Sequence, residues 1–327
     1  MRKKGFVERI LIKDPAQEDF SPNKLPKNRK ELFGYMLKNK FWKIYKNHLL
    51  IALFFIPLVA WGVLTMNYTD FIFKLDPKEG ITHFVEYWFT VYITAIPLWA
   101  IGFVGLAGGL NVIRKLAWSD PVVIGNDFLQ GIKASGKQLA LVGALWGTAF
   151  ALLRYAMDWL GFYYQVFDNS STIIFGIFVC LFILVLIAGL TLYATCMSSL
   201  YNVNFKQLMV GAFKLYYSDC FMATGVILIC LLPILILMMW GLAITVLIAY
   251  LLILGLLLGF IIIPMFLVCQ HTFDRIINKK DYPNYYGKGL SYGVYSKEEV
   301  ASVPVYELED EISEVENDFE RVKDDEN

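Results

Sequence analysis

Between Asp219 and Asp274 the chain carries no Lys, Arg, Asp or Glu. About 20 apolar residues cross the hydrocarbon core of a bilayer, so this one stretch predicts two transmembrane helices with a tight turn near Trp240 and Gly241. Other apolar stretches lie upstream. The predicted spans are residues 48–66, 88–113, 138–159, 172–201, 220–239 and 242–268. The expected fold class is therefore all-α. It is a polytopic transmembrane helix bundle of about six spans, with cytoplasmic amphipathic loop helices and an acidic C-terminal helix. Only 18% of the residues are charged, against about 25% in soluble domains.

Charge placement gives the expected orientation. Residues 1–47 hold thirteen Lys/Arg and five acids, whereas residues 297–327 hold thirteen acids and three Lys/Arg. Arg114, Lys115, Lys133 and Lys137 lie in the second-to-third loop, Lys206 and Lys214 in the fourth-to-fifth, and Arg275, Lys279 and Lys280 after the last span. With six spans all of these fall on one side, which the positive-inside rule makes the cytoplasmic side of a cell membrane. Both termini then lie there too. Trp61, Trp88, Trp159 and Trp240 fall at predicted outer helix ends, and Trp42 and Trp118 at inner ones, as interfacial tryptophans do. The chain divides into a basic N-terminal tail with an interfacial helix (1–40), a six-span domain (41–278), and a cytoplasmic loop with an acidic amphipathic tail (279–327).

Three polar stretches carry helical patterns. From Glu31, apolar residues including Leu32, Met36 and Ile44 face away from Lys38, Lys43 and Lys46. This is either a helix lying on an anionic membrane surface or a basic lead-in to the first span. In the 111–138 stretch, the chain turns at Asp120 and Pro121, and Asp127 is placed to cap a short amphipathic helix. The 202–219 stretch repeats this design, with Asn204 as the cap and Phe205, Leu208, Met209, Ala212, Phe213 and Tyr216 on one side. Past residue 281 a Pro-, Gly- and Tyr-rich segment reads as loop. Val305, Leu308, Ile312, Val315, Phe319 and Val322 then form a heptad stripe. It either docks on a basic surface or belongs to a solvated tail.

Chemistry-bearing groups are sparse. Arg154 and Asp158 are the charged residues well inside a span, one helical turn apart. They form a candidate intramembrane polar pair. Arg154 lies about 24 Å along its helix from residue 138, near the outer surface, where it can snorkel beside Trp159. An enzyme acting at the outer surface would have Arg154, Asp158 and Asp168 as its polar group. His48, His83 and His271 lack acidic or cysteine partners at ligand spacing, and no metal or other cofactor is expected. The five cysteines show no CxxC spacing and read as small buried hydrophobes. Gly102, Gly105, Gly108 and Gly109 make a small-residue face in the second span. Close helix packing is the ordinary use of such a face, and a substrate path along the first two spans is the alternative. Nothing points to nucleic acid.

The stretch from residue 96 to 138 resembles the YesL-like family of bacterial multi-pass membrane proteins. The resemblance is carried by Ile96-Pro97, Gly102, Ile113 with Arg114 and Lys115, Asp127-Phe128, Gly131, Lys133 and Lys137-Gln138. It covers residues 41–278, although Pro57 and Gly62 match the Pro–x4–Gly element equally well, and the basic head and acidic tail are additions. The resemblance implies association with carbohydrate-uptake systems and supplies no catalytic residue. The expected function is thus non-enzymatic: a bilayer-embedded accessory or regulatory partner of sugar ABC-transporter subunits. A self-contained small-solute transporter is the other reading. The candidate docking residues on the cytoplasmic face are Arg114, Lys115, Asp127, Phe128, Lys133, Lys137, Phe205, Lys206 and Phe213.

Overall fold

The computed structural model describes residues 26–72, 77–166, 170–239 and 258–291. The heptad stripe, the turn at Trp240 and Gly241 and most of the sixth predicted span lie outside the described residues. Among those residues the protein is helical and has no strand. In order come α1 (Arg29–Ile72), α2 (Pro77–Thr94), α3 (Ile96–Ala117), α4 (Ile124–Val166), α5 (Ser170–Leu200), α6 (Phe205–Ser218), α7 (Cys220–Met239) and α8 (Leu258–Phe273). A π-turn (Asp274–Asn278) and a short 3-10 turn (Pro283–Tyr285) follow. Among the described residues, four stretches are long and apolar enough to cross a membrane: Arg29–Thr65, His83–Ala117, Ile124–Gly161 and Ser171–Leu200. Helix α6 meets the start of α7 at a bend of 91°.

Helix α1 begins one turn before the apolar pattern does. The Asn28 side chain accepts the Glu31 N–H at 2.8 Å, and the Glu31 carboxylate accepts the Lys27 N–H at 2.8 Å. Asn28 thus caps the helix start, and the Glu31 carboxylate reaches back to the residue before the cap and to the Asn28 side-chain amide at 3.1 Å. The helix breaks at Lys40 (φ −123°, ψ 15°), which separates a surface segment from the span. Leu32 and Met36 on that segment are fully buried. Its apolar face therefore packs into the protein, where a membrane-surface helix would present it to lipid.

The expected second span lies within His83–Ala117, one stretch long and apolar enough to cross a membrane, in which α2 gives way to α3. They meet at Ala95, where Pro97 sits in the first turn of α3, the position at which proline's missing N–H costs nothing. The expected separate helix after Asp127 is continuous with the third span as one 43-residue helix, α4. At 1.5 Å per residue it is about 65 Å long, roughly twice a bilayer core.

Helix α3 lies antiparallel between α1 and α4, and glycines set how closely they approach. A β-carbon at Gly105 would stand 2.5 Å from Phe54, one at Gly102 2.7 Å from Phe55, and one at Gly109 would strike Ile51. On the other side, Gly143 faces Phe103 and the Trp99 carbonyl, and Gly131 faces the Ala107 carbonyl at 2.7 Å. Such a small-residue seam replaces the hydrophobic drive that lipid does not supply between helices. Gly34, by contrast, has nothing within 4 Å of its would-be β-carbon among the described residues. Gly34→Ala should raise stability by about 0.5–1 kcal/mol, seen as a higher unfolding midpoint in detergent.

Candidate functional site

The start of α1, the end of α3, the start of α4, the end of α5 and the end of α8 converge at one end of the bundle. Helix α3 closes there with a Schellman turn. The Ser119 N–H donates to the Leu116 carbonyl at 3.3 Å and the Asp120 N–H to the Lys115 carbonyl at 3.0 Å, with Ser119 left-handed at φ 59°. The Lys40 ammonium donates to the Leu116 carbonyl at 2.7 Å and to Ser119 Oγ at 3.2 Å. That places a cation at the negative end of the helix, and the break at Lys40 is where α1 is tied to this turn.

Asp127 does not act as the expected cap for the N–H groups that follow it. Its carboxylate turns back, accepting the Val123 N–H at 2.8 Å and the Lys115 ammonium at 2.7 Å. Asn111 donates to the Asp127 carbonyl at 2.7 Å, and Arg114 donates to Asn111 Oδ1 at 2.6 Å and to the Ser199 carbonyl at 2.7 Å. Gln138 continues the bracing. It donates to the Val203 carbonyl at 2.6 Å and accepts Ser198 Oγ at 3.1 Å. Asn111, Arg114, Lys115, Asp127 and Gln138 thus bolt α3, α4 and α5 to one another.

Beside this lies a second buried network. Arg29 donates to Asp274 at 2.6 Å, and both side chains are more than nine-tenths buried. Asn278 donates to the same carboxylate at 2.8 Å and accepts the Tyr201 hydroxyl. Asp219 accepts Thr272 Oγ1 at 2.6 Å and pairs with Arg275 at 3.1 Å. The two aspartates that bracket the uncharged run therefore both anchor this end. Sequence reasoning used them only as the borders of that run and assigned neither a role.

The segment after α8, expected to be loop, is a packed strap. Leu290 is fully buried, the Ser291 N–H donates to the Pro26 carbonyl at 3.0 Å, and Lys288 sits 4.5 Å over the Trp118 ring. Residues 279–291 therefore pack against the helical body.

The candidate docking residues divide. Asp127 and Phe128 are buried, Arg114, Lys115 and Phe205 are partly buried, and Lys133, Lys137, Lys206 and Phe213 are exposed. Helix α6 accounts for the last two. Asn204 and Gln207 start it, the Gln207 side chain accepting the Asn204 N–H at 3.1 Å. Leu208, Ala212, Leu215 and Tyr216 are buried, while Val210, Phe213 and Tyr217 are exposed on the opposite face, and Phe221 is 95% exposed just beyond.

At the other end of the bundle, Arg154 pairs with Asp158 at 3.1 Å. Tyr92 of α2 joins them, donating to Asp158 at 3.0 Å and accepting from Arg154 at 3.2 Å. Trp88, Phe89, Phe150, Tyr155 and Trp159 surround the trio. With Arg154 46% exposed, the trio lies at the surface of the bundle among aromatic side chains.

No family model, curated protein or solved structure matches the chain.

Proposed function

We propose that this chain is a non-enzymatic, six-span cell-membrane protein that works by contact, docking its basic end on an integral-membrane partner. Sugar ABC-transporter subunits are the partner class the family resemblance implies. The observation that carries the reading is the stripe Val210, Phe213, Tyr217 and Phe221, left exposed among the described residues, with Lys206 and Lys214 beside it. An exposed apolar stripe rimmed by cations suits a surface used at the lipid headgroup level. The 91° bend into α7 supports an α6 that lies along the membrane plane, with both termini on the cytoplasmic side. The residues of the 111–138 stretch then form the rigid platform behind it, and Lys133 and Lys137 extend its exposed basic rim.

The transporter reading is less well supported, because the glycine face of α3 is filled by Phe54, Phe55, Ile51 and Phe128. That packing leaves no lining for a path along it. A photo-crosslinker at Phe213, with Lys133 as a second position, should capture a sugar-permease subunit in membranes that contain both proteins. Capture of no transporter subunit from either position would overturn the assignment.

A further inference from the structure

A groove of about 550 Å³ opens between the start of α1, the first turns of α7 and the last turns of α8. Its walls are Phe33, Met222, Val226, Pro264, Leu267 and Val268, and its polar lining comes from Asn28, Arg29, Lys30 and His271. This volume and the apolar walls with a few convergent polar groups are those of a small-molecule site. The polar groups are not evenly spread. Asn28, Arg29 and Lys30 all come from the first turn of α1, and His271 from the last turn of α8.

The groove's own lining carries Arg29 and Lys30 and no acid. Asp274 is taken up by Arg29 and Asn278, and Glu31 is held by the Lys27 N–H and the Asn28 side chain. Lys30 is exposed, and it has no carboxylate partner among the described residues. Arg29 is 8% exposed, and its Nε–H has no hydrogen-bond partner among the described residues. A buried guanidinium N–H left unmade is costly, and an anion in the groove is the kind of group that would satisfy it.

We infer that this groove holds an anionic phospholipid. Its phosphate sits at Lys30 and Arg29, and one acyl chain runs between α7 and α8 along Met222, Val226 and Leu267. Depth supports a lipid over a soluble anion. Val226 lies about 9 Å from the start of α7 at 1.5 Å per residue, so the apolar wall begins directly below the polar mouth, as a chain begins below its headgroup. Basic pockets between transmembrane helices are used for such headgroups. The inference rests on the chain spanning a membrane and is independent of any docking partner.

The full-length protein, delipidated in detergent, would be titrated with phosphatidylglycerol and with phosphatidylcholine and read by native mass spectrometry. Phosphatidylglycerol should bind more tightly than phosphatidylcholine. Lys30→Gln should weaken phosphatidylglycerol about fivefold, the worth of one lysine near a membrane surface, and weaken phosphatidylcholine less, because the choline cation offsets the charge of its own phosphate. Val226→Trp should weaken both by filling the apolar wall. Because Lys30 is exposed, that variant will keep the parent unfolding midpoint and the test does not depend on the tryptophan variant folding. Equal affinities for the two lipids, an unchanged phosphatidylglycerol affinity in Lys30→Gln, or equally strong binding of glycerophosphate without acyl chains would each overturn the inference.

Discussion

Replacing Asp274 by alanine should destabilise the protein by about 3–5 kcal/mol, because it leaves the Arg29 guanidinium buried without its carboxylate. Arg29→Ala should cost a similar amount by stranding the carboxylate. The double replacement Arg29→Met with Asp274→Leu should recover much of the loss, since two apolar groups of similar volume remove both desolvation costs. Cys269, fully buried on α8 just ahead of the network, is the reporter. Its labelling by a maleimide should accelerate in each single variant and slow again in the double. An Asp274→Ala variant whose unfolding midpoint and labelling rate match the parent would show that this pair carries no stability.

Gly131→Ala should destabilise by about 2 kcal/mol, and Gly131→Leu should prevent assembly of α3 on α4. The added β-carbon would stand 2.6 Å from Asn111 Cβ, 2.7 Å from the Ala107 carbonyl and 3.0 Å from Gly108 Cα. Two of these three are backbone atoms, and α3 cannot retreat from them, because its opposite face already rests on Phe54, Phe55 and Ile51 of α1. The contrast with Gly34, where the same substitution is expected to stabilise, separates packing from backbone entropy. Unfolding midpoints of the two alanine variants, measured side by side, check the sign. A Gly131→Ala variant as stable as Gly34→Ala would mean that the helices are not this close.

Where helices begin and end was legible when composition alone decides it. The fourth and fifth apolar segments, expected at residues 172–201 and 220–239, are helices Ser170–Leu200 and Cys220–Met239, because nothing charged interrupts them. The Asn204 start of α6 was legible too, since capping is local chemistry. The continuity of α4 was not. Lys133 and Lys137 look like the end of a loop in one dimension, yet both lie on exposed faces of a helix whose other side buries Phe128, Gly131 and Ser135. The buried networks were beyond reach for a different reason. Arg29 and Asp274 are ordinary charges at the borders of apolar segments, and only tertiary structure reveals that they pair. Phe128 shows the converse error. Its place in a polar stretch suggested a contact residue, and it is instead packed against Phe54 and Gly108.

The Arg29–Asp274 bond also imposes an order on biosynthesis. The two residues are 245 positions apart, so at about 5–20 residues per second the arginine waits on the order of tens of seconds for its counter-ion to be translated. Throughout that interval every upstream helix has been made while the clasp at their shared end stays open. A nascent chain truncated before residue 274 would keep an uncompensated guanidinium and an uncovered Trp118, which makes completion of the strap the event that tells a finished molecule from an unfinished one.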